Sequence, residues 1–141
     1  MSIVLGLLIV LAVFWIIFRA FPNVFGAFIP KSRVTPELGG EGDFPTAVVA
    51  ESFYQPVLRS ICGPGKVRHE CKARIEFEDG NEPDDQAVVI SIGGARVGYL
   101  ARSDARRYRR NRGTDSAECN AVITGGGKDR ETLDVWLDIH L

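Results

Sequence analysis

The sequence predicts a mainly β domain, folded as a small barrel or strongly bent sheet with two short helices and preceded by one transmembrane helix. Residues 68–78 alternate apolar and charged side chains, which is the period of a strand with one buried face. Two short apolar runs flank Gly93 and Gly94, an arrangement that favours a hairpin. The chain opens on a long uncharged apolar segment with the composition of a membrane anchor. Its 141 residues leave room for about one soluble domain behind that anchor.

The first half of the domain is predicted to contain two strands with a short helix between them. Residues 46–54 are rich in β-branched and aromatic side chains and are expected to form a strand. Pro56 begins a short apolar helix that ends before a Gly-Pro-Gly turn at residues 63–65. The second strand, residues 68–78, has the most regular alternation. Its buried face is expected to consist of Cys71, Ala73, Ile75 and Phe77.

An acidic turn at residues 81–85 is expected to lead into a hairpin. Its strands are residues 87–92 and 96–100, joined by two glycines. Ser103 is then placed to cap a short helix that ends at Gly113.

This predicted helix carries a basic surface. Residues 102–112 contain six arginines and one aspartate, whereas the whole chain has a net charge of −1. Ala105 and Tyr108 are one helical turn apart and are expected to face the core, which leaves the arginines on the surface. A segregated basic patch on a nearly neutral protein indicates an anionic partner; a solvated arginine face is the alternative.

Two further strands are predicted at the end of the chain, residues 119–124 and 133–141. The G-G-G-K sequence at residues 125–128 lacks the spacing and the following helix of a phosphate-binding loop, so it is expected to be a hairpin turn. Apolar residues alternate along the last strand, and its other face is expected to point away from the core. That face consists of Asp134, Trp136, Asp138 and His140.

Residues 1–21 are predicted to anchor the chain in a lipid bilayer. Residues 3–18 are uncharged and span about 24 Å as a helix, and their neighbours bring the length close to the ~30 Å hydrocarbon core. A cleaved signal peptide is the alternative, but no basic n-region precedes the run and the cleavage-site match is poor. We therefore expect bilayer contact through residues 3–21.

Flanking charges predict the orientation of this anchor. No Lys or Arg precedes it, whereas Arg19, Lys31 and Arg33 follow it. The positive-inside rule then gives a single-pass membrane protein whose soluble domain lies on the cytoplasmic side. Residues 22–43 are rich in proline and glycine and are expected to be a linker, so the domain is expected to span residues 44–141.

The cysteines and histidines do not indicate a metal centre or an enzyme. Cys62, Cys71 and Cys119 fit neither a fully paired disulfide set nor the spacing of a zinc knuckle, and are expected to be small reduced hydrophobes. His69 and His140 occupy ordinary alternating positions on predicted strands, and no nucleophile–base pair is evident. We expect no cofactor and no catalysis by this chain.

Three separated motifs of the domain resemble the HIRAN family. They are A-E-S-F-Y at residues 50–54, N-E-P-D-D-Q-A-V-V-I at residues 81–90 and V-G-Y-L-A-R at residues 97–102, in the order that the family has them. The resemblance covers approximately residues 46–141. It implies a small OB-like or SH3-like β-barrel. It also implies binding to the 3′ end of single-stranded DNA, which the best understood members perform as accessory modules of DNA-remodelling ATPases.

The resemblance implies roles for individual residues. Tyr54 matches an aromatic residue that stacks on a base, and Asp84 matches an acid near the terminal 3′ hydroxyl. Tyr99 matches a position that is often His or Tyr, and Arg102 matches a basic residue facing the backbone phosphates. Because arginine pairs well with phosphate, the helix arginines extend the set. The predicted nucleic-acid contacts are Tyr54, Asp84, Tyr99, Arg102, Arg106, Arg109 and Arg110.

Three positions depart from the family members that bind DNA ends. Glu82 stands where proline is usual, Pro83 where an aromatic residue is common, and Ser52 where a basic residue is common. For the two tyrosines the alternative role is packing at the rim of the core. For Asp84 it is capping of the turn before the next strand.

The sequence leaves two functions open. One is a membrane-anchored module that binds nucleic acid, specifically single-stranded DNA ends, without catalysis of its own. The alternative is a membrane-tethered protein-interaction or structural module that contacts a protein partner or anionic lipid. Strongly salt-dependent binding to single-stranded oligonucleotides separates the first from the second.

Overall fold

The structure, a computed structural model, describes residues 35–113, 115–128 and 130–141. The predicted membrane anchor and the first part of the predicted linker lie outside these residues. Within the part of the chain that is described, no helix combines the length and apolar character needed to cross a membrane. Residues from Thr35 to Leu141 form one compact unit.

The described chain contains seven strands, one 3₁₀ helix and two α-helices. The strands are β1 (Glu37–Leu38), β2 (Thr46–Val49), β3 (Val67–Glu78), β4 (Ala87–Ile92), β5 (Ala95–Leu100), β6 (Ala117–Gly127) and β7 (Arg130–Leu137). The 3₁₀ helix is Glu51–Tyr54, α1 is Gln55–Cys62 and α2 is Arg102–Arg112.

Six of these strands close into an antiparallel barrel. Its order is β6, β3, β4, β5, β2 and β7, and β7 pairs again with β6. The short strand β1 adds to β6 in parallel, with Leu38 opposite Cys119. The prediction of a mainly β fold with two short helices is confirmed, and the sheet is a closed barrel. Closure leaves few free strand edges for pairing with other chains.

Closure depends on a tight approach between β2 and β5. The β4–β5 register shifts between Ile90 and Ser91, a bulge that bends the pair. Gly98 of β5 pairs with Ile90 at this bulge. A Cβ on Gly98 would lie 2.5 Å from Val48 Cγ1 and 2.6 Å from the Val49 carbonyl oxygen. Only glycine fits there without displacing β2.

The barrel interior is filled by alternate residues of the strands and by one face of each helix. Strand β3 follows its sequence pattern, with Ala73 and Ile75 buried and Arg74 exposed between them. Leu58 of α1 is completely buried. The predicted core-facing stripe of α2 is confirmed, since Ala105 is fully buried and Tyr108 is only 1% exposed.

The strand predicted at residues 46–54 ends early, so this prediction is wrong in its second half. Strand β2 stops at Val49, and Ala50 takes a left-handed φ of 64°. The next residues form the 3₁₀ helix that runs into α1. A left-handed backbone is unfavourable for alanine and turns the chain sharply. The aromatic residues Phe53 and Tyr54 therefore leave the sheet at this corner.

Helix α2 begins two residues earlier than expected, and Ser103 is not its cap. Ala101 is the N-cap residue and makes no side-chain capping hydrogen bond. Ser103 lies inside the first turn, together with Asp104, whose charge complements the positive end of the helix dipole. The predicted end at Gly113 is confirmed, where the glycine has a φ of 69°.

The last strand also ends earlier than its alternation predicts. Strand β7 stops at Leu137, and Asp138, which was expected to face solvent, is only 1% exposed. Its carboxylate accepts the Gly42 N–H at 2.9 Å, and its own N–H donates to the Asn120 carbonyl at 2.9 Å. Asp138 is buried because the chain before β2, expected to be linker, packs against it. The same segment includes β1 and buries Leu38.

The hairpin between β6 and β7 is present, but its turn lies later than predicted. Strand β6 continues through Gly127, with a register shift between Gly125 and Gly127. A Cβ on Gly125 would collide with the Thr132 carbonyl oxygen. The glycines therefore serve a tightly paired, irregular strand end rather than the turn alone.

Candidate functional site

The acidic turn between β3 and β4 is organised around Asp84. The Asp84 N–H donates to the Asn81 carbonyl at 3.0 Å, and the Asp84 carbonyl accepts the Ala87 N–H at 3.0 Å. Its side-chain Oδ1 accepts the Gln86 N–H at 3.1 Å. A carboxylate bonded to the backbone two residues ahead stabilises a tight turn. Asp84 therefore caps this turn, the alternative role considered from the sequence.

Two arginines of α2 reach the same carboxylate. Arg106 Nη2 donates to Asp84 Oδ1 at 2.6 Å, and Arg102 Nε lies 3.8 Å from Oδ2. Arg102 also donates to the Pro83 carbonyl at 3.1 Å. The hydrogen bond from Arg106 is the main cause that holds the pKa of Asp84 below its usual value. The carboxylate is thus ionised and bound at neutral pH.

Arg109 attaches α2 to the two ends of the acidic turn. Its guanidinium donates to the Gln86 carbonyl at 2.8 Å, to the Ala87 carbonyl at 2.9 Å and to Asp79 Oδ1 at 2.9 Å. It also lies 4.8 Å from the centroid of the Phe77 ring. Only 17% of the side chain is exposed. Each nitrogen of this guanidinium is engaged within the protein, so Arg109 holds the turn.

The two predicted tyrosines meet on the other side of the acidic turn. Tyr54, from the 3₁₀ helix, lies near the hydroxyl of Tyr99 on β5. Arg96 Nη1 donates to the Tyr99 hydroxyl at 2.6 Å, and the Arg96 guanidinium lies 5.4 Å from the Tyr99 ring centroid. Desolvation, and then the neighbouring Tyr54, raise the pKa of Tyr99. The Tyr99 hydroxyl is thus neutral at physiological pH.

Arg96 connects the tyrosines to the acidic turn. Arg96 Nη2 donates to Glu78 Oε1 at 2.6 Å, and Asn81 Nδ2 donates to Glu78 Oε2 at 3.0 Å. Desolvation opposes the charge of Glu78, but the bonds from Arg96 and Asn81 outweigh it and lower its pKa. The bond to Glu78 is in turn the main reason that the pKa of Arg96 is raised. A continuous chain of polar contacts therefore runs from Tyr99 to Arg106.

The tyrosine side of this chain borders an exposed apolar surface. The strand register sets Val49, Tyr99 and Val89 side by side on β2, β5 and β4. Beside them Phe53, on the 3₁₀ helix that packs against β5, is 82% exposed, and Val49 is 38% exposed. We call the surface formed by Val49, Phe53, Tyr54, Arg96 and Tyr99 the aromatic face.

Two residues of the aromatic face were missed in the sequence. The sequence pattern predicts Phe53 on a continuous strand, because nothing in the A-E-S-F-Y motif indicates that Ala50 has a left-handed backbone. Arg96 was treated only as the first residue of a strand. The signal for Arg96 was its position three residues before Tyr99 on one strand of the predicted hairpin. In the sheet only β4 separates this strand from β3, which ends in acidic residues.

The remaining arginines of α2 point away from the acidic turn. Arg110 is exposed and forms no ion pair with any residue that the structure describes. Arg107 is exposed and donates to the Leu141 carbonyl at 3.3 Å. Of the predicted contact residues, Arg110 and the 71%-exposed Arg102 therefore present the most free positive charge.

The thiols of Cys71 and Cys119 are not activated for chemistry at neutral pH. Burial raises the pKa of the Cys119 thiol to about 12. Burial also raises the pKa of Cys71, with a further contribution from nearby Cys62. Protonated thiols are poor nucleophiles and poor metal ligands. Across residues 35–113, 115–128 and 130–141, no three His, Cys, Asp or Glu side chains are grouped as a metal site.

Comparison with known proteins adds no relative. No protein-family model, no curated protein and no solved structure matches the chain. The HIRAN resemblance rests on the three sequence motifs.

Proposed function

We propose that this chain is a membrane-anchored, HIRAN-like module that binds single-stranded nucleic acid on its aromatic face, without catalysis of its own. The observation that carries the proposal is Phe53, an aromatic ring 82% exposed on the same 3₁₀ helix as Tyr54. Exposure of such a ring to water is unfavourable in free energy, and a base of a single strand can stack on it. Stacking tolerates any base, so the expected preference is for single strands rather than for a sequence.

Contacts between the three HIRAN-like motifs support the proposal. Tyr54 of the first motif lies near Tyr99 of the third. Arg102, at the end of the third, contacts Pro83 and Asp84 of the second. Residues far apart in the sequence thus adjoin one another in the barrel, as parts of one binding surface must.

Positive charge at the border of this surface supplies phosphate contacts. Arg102 is 71% exposed, and its closest carboxylate oxygen is 3.8 Å away, so a phosphate can compete for it. Arg110 lies two turns further along the same helix and is exposed. Arg106 and Arg109 contribute by holding the acidic turn in place.

A 3′-terminal hydroxyl fits the same geometry. Asp84 Oδ1 already accepts bonds from Arg106 and Gln86, whereas Oδ2 has only the long contact to Arg102. An ionised carboxylate oxygen can accept the O–H of a strand terminus. We propose Oδ2 as that acceptor, in keeping with the role that the family resemblance implies.

The proposed location is the cytoplasmic face of a membrane. The support is the uncharged run at residues 3–18, with positive charge only on its C-terminal side. The anchor confines the module to the bilayer surface, which would raise its local concentration near membrane-associated nucleic acid.

The test is binding of fluorescent single-stranded oligonucleotides to the full-length chain in detergent micelles. Phe53→Ala removes one stacked ring and should weaken binding by roughly tenfold, equivalent to about 1–2 kcal/mol. Arg102→Gln should weaken binding and make its dependence on salt less steep by about one phosphate contact. Arg130→Gln changes an exposed arginine on β7, outside the proposed surface, and is the matched control.

Two further comparisons complete this experiment. An oligonucleotide whose 3′ end is blocked by phosphate should bind less tightly than one with a free hydroxyl, and Asp84→Asn should remove the difference. Absence of binding at about 50 mM salt, where phosphate contacts are strongest, would refute the proposed function.

A second candidate function is a membrane-tethered protein-interaction module. The observation that favours it is the aliphatic part of the face, since Val49 is exposed next to Phe53. Phe53→Leu separates the two candidates. Leucine keeps apolar contact with a protein partner but loses the ring needed for base stacking.

A further inference from the structure

A pocket of about 310 Å³ lies on the side of α2 away from the acidic turn. It is bounded by the C-terminal end of α2, by the chain next to β1 and by residues after β7. Its walls are formed by Leu38, Gly39, Tyr108, Asn111, Arg112, Ile139, His140 and Leu141. On a helix, Asn111 and Arg112 project well away from the direction of Arg102 and Arg106. This pocket is therefore separate from the aromatic face.

One wall holds a polar group whose hydrogen bonding is incomplete. Tyr108 is 1% exposed, and its hydroxyl has no hydrogen-bond partner among the described residues. An unpaired buried hydroxyl is costly, and in proteins such groups usually bond to water or to a ligand. The ring itself is fixed, because it packs against Phe77 with 5.7 Å between ring centroids.

The other polar groups of the wall are donors. Asn111 offers an amide, Arg112 a guanidinium and His140 an imidazole, and none of the eight wall residues is acidic. Burial raises the pKa of Tyr108, while the charge of nearby Arg112 opposes that rise. The hydroxyl is therefore a neutral donor close to a cation, a combination that suits an oxyanion.

Two neighbouring contacts limit the charge of the pocket. His140 Nε2 lies 3.4 Å from Asp43 Oδ1, so part of its charge is balanced when it is protonated. The carbonyl of Leu141 accepts a hydrogen bond from Arg107 at 3.3 Å and none from Arg112. Arg112 thus remains the principal cation of the pocket.

We propose that this pocket binds a small phosphate monoester, with its phosphoryl oxygens held by the Tyr108 hydroxyl, the Arg112 guanidinium and the Asn111 amide. Donors of three different shapes around one space match a tetrahedral anion better than a planar carboxylate. The volume admits a phosphoryl group with a few attached carbons. The hydroxyl has almost no surface open to water, so binding requires the side chains around it to shift and admit the anion.

The experiment is thermal unfolding of the full-length chain in detergent micelles, titrated with inorganic phosphate and with glycerol phosphate at constant ionic strength. Wild type should show a saturable rise in Tm that sodium chloride does not reproduce. Arg112→Gln and Tyr108→Phe should each weaken the apparent affinity by roughly tenfold, since each removes one bond to a charged group. Arg130→Gln, which changes an exposed arginine on β7 outside the pocket, should respond as wild type.

Tyr108→Phe should be at least as stable as wild type without ligand, because it removes an unpaired buried hydroxyl. If that variant does not fold, the exposed Arg112→Gln decides the matter. Vesicles containing phosphatidic acid form a second arm: if they bind in place of glycerol phosphate through Arg112, the phosphate comes from a lipid headgroup. No saturable rise with any of these phosphates, or equal responses from both pocket variants and wild type, would overturn the proposal.

Discussion

Single side chains determine the shape of the acidic turn. Asp84 joins the turn to itself through Gln86 and to α2 through Arg106. Glu78 joins the same turn to β5 through Arg96. Both carboxyl groups have a lowered pKa in the folded protein. The charges of two acids therefore hold the elements around the turn at neutral pH.

Asp84→Asn is expected to destabilise the protein at neutral pH, and by less as the pH falls. The pKa of Asp84 is lowered chiefly by its hydrogen bond from Arg106, so its ionised form stabilises the folded state above the unfolded-state pKa of about 3.9. That contribution disappears as the pH falls through the lower folded-state value. Urea unfolding of wild type and variant between about pH 3 and pH 7 measures the difference.

Asp85→Asn is the matched control for this prediction. Asp85 is the adjacent, exposed carboxylate, and its side chain forms no hydrogen bond with a described residue. Its substitution should change stability little at any pH. A constant difference between wild type and Asp84→Asn down to the lowest pH would contradict the linkage.

Individual residues of the candidate site were predictable only in part. Tyr54 and Tyr99 could be selected from short motifs, and the structure does bring them together. The contact of Arg96 with Glu78 could not be predicted, because it reaches across β4 and depends on the register of three strands. The exposure of Phe53 depends on the backbone of Ala50, which its side chain does not favour.

At the scale of elements, regular patterns were predictive and irregular joints were not. Strand β3 follows its alternation, and the paired glycines join β4 to β5 as predicted, while all six residues of β4 are buried. The end of β2 and the start of α2 differ from expectation, since Ala50 and Ala101 carry no capping side chain. Local propensity is weak at such joints, and the surrounding packing determines them.

Arg109→Ala is expected to loosen the attachment of α2 and to cost about 2–3 kcal/mol of unfolding free energy. The substitution removes two bonds to backbone carbonyls, one to Asp79 and the stacking on Phe77. Arg109→Lys should cost an intermediate amount, because an ammonium cannot reproduce the planar fork. Chemical denaturation gives the free energies.

Arg110→Ala is the comparison for this effect. Arg110 is next along α2 and exposed, so its loss should change stability by no more than about 0.5 kcal/mol. Hydrogen exchange adds a local measurement: Arg109→Ala should speed exchange in the acidic turn. Equal costs for the two arginines would show that the contacts of Arg109 are not structural.

At the scale of the whole molecule, the sequence predicts a barrel or bent sheet but does not predict which strands pair to close it. Six short strands cannot bury their apolar faces in a flat sheet, so a barrel or bent sheet followed from the sequence. The pairing of β2 with both β5 and β7 could not be predicted, because these strands are distant in the sequence. The linker expectation differed from the structure for the same reason: Leu38 is buried only by contact with remote strands.

The N-terminal boundary of the folded unit provides the last prediction. A chain beginning at residue 44 should be less stable than one beginning at residue 35 by about 3–5 kcal/mol. It loses the buried side chain of Leu38 and the Gly42 N–H, which leaves the Asp138 carboxylate buried without that partner. Urea midpoints of the two chains measure the difference.

Two substitutions in the longer chain separate the contributions. Leu38→Ala isolates the apolar part, at about 2–3 kcal/mol. Glu37→Ala breaks only an exposed ion pair with Lys72 and should be nearly neutral. Equal midpoints for the two chains would mean that the segment before β2 rests on the barrel without stabilising it.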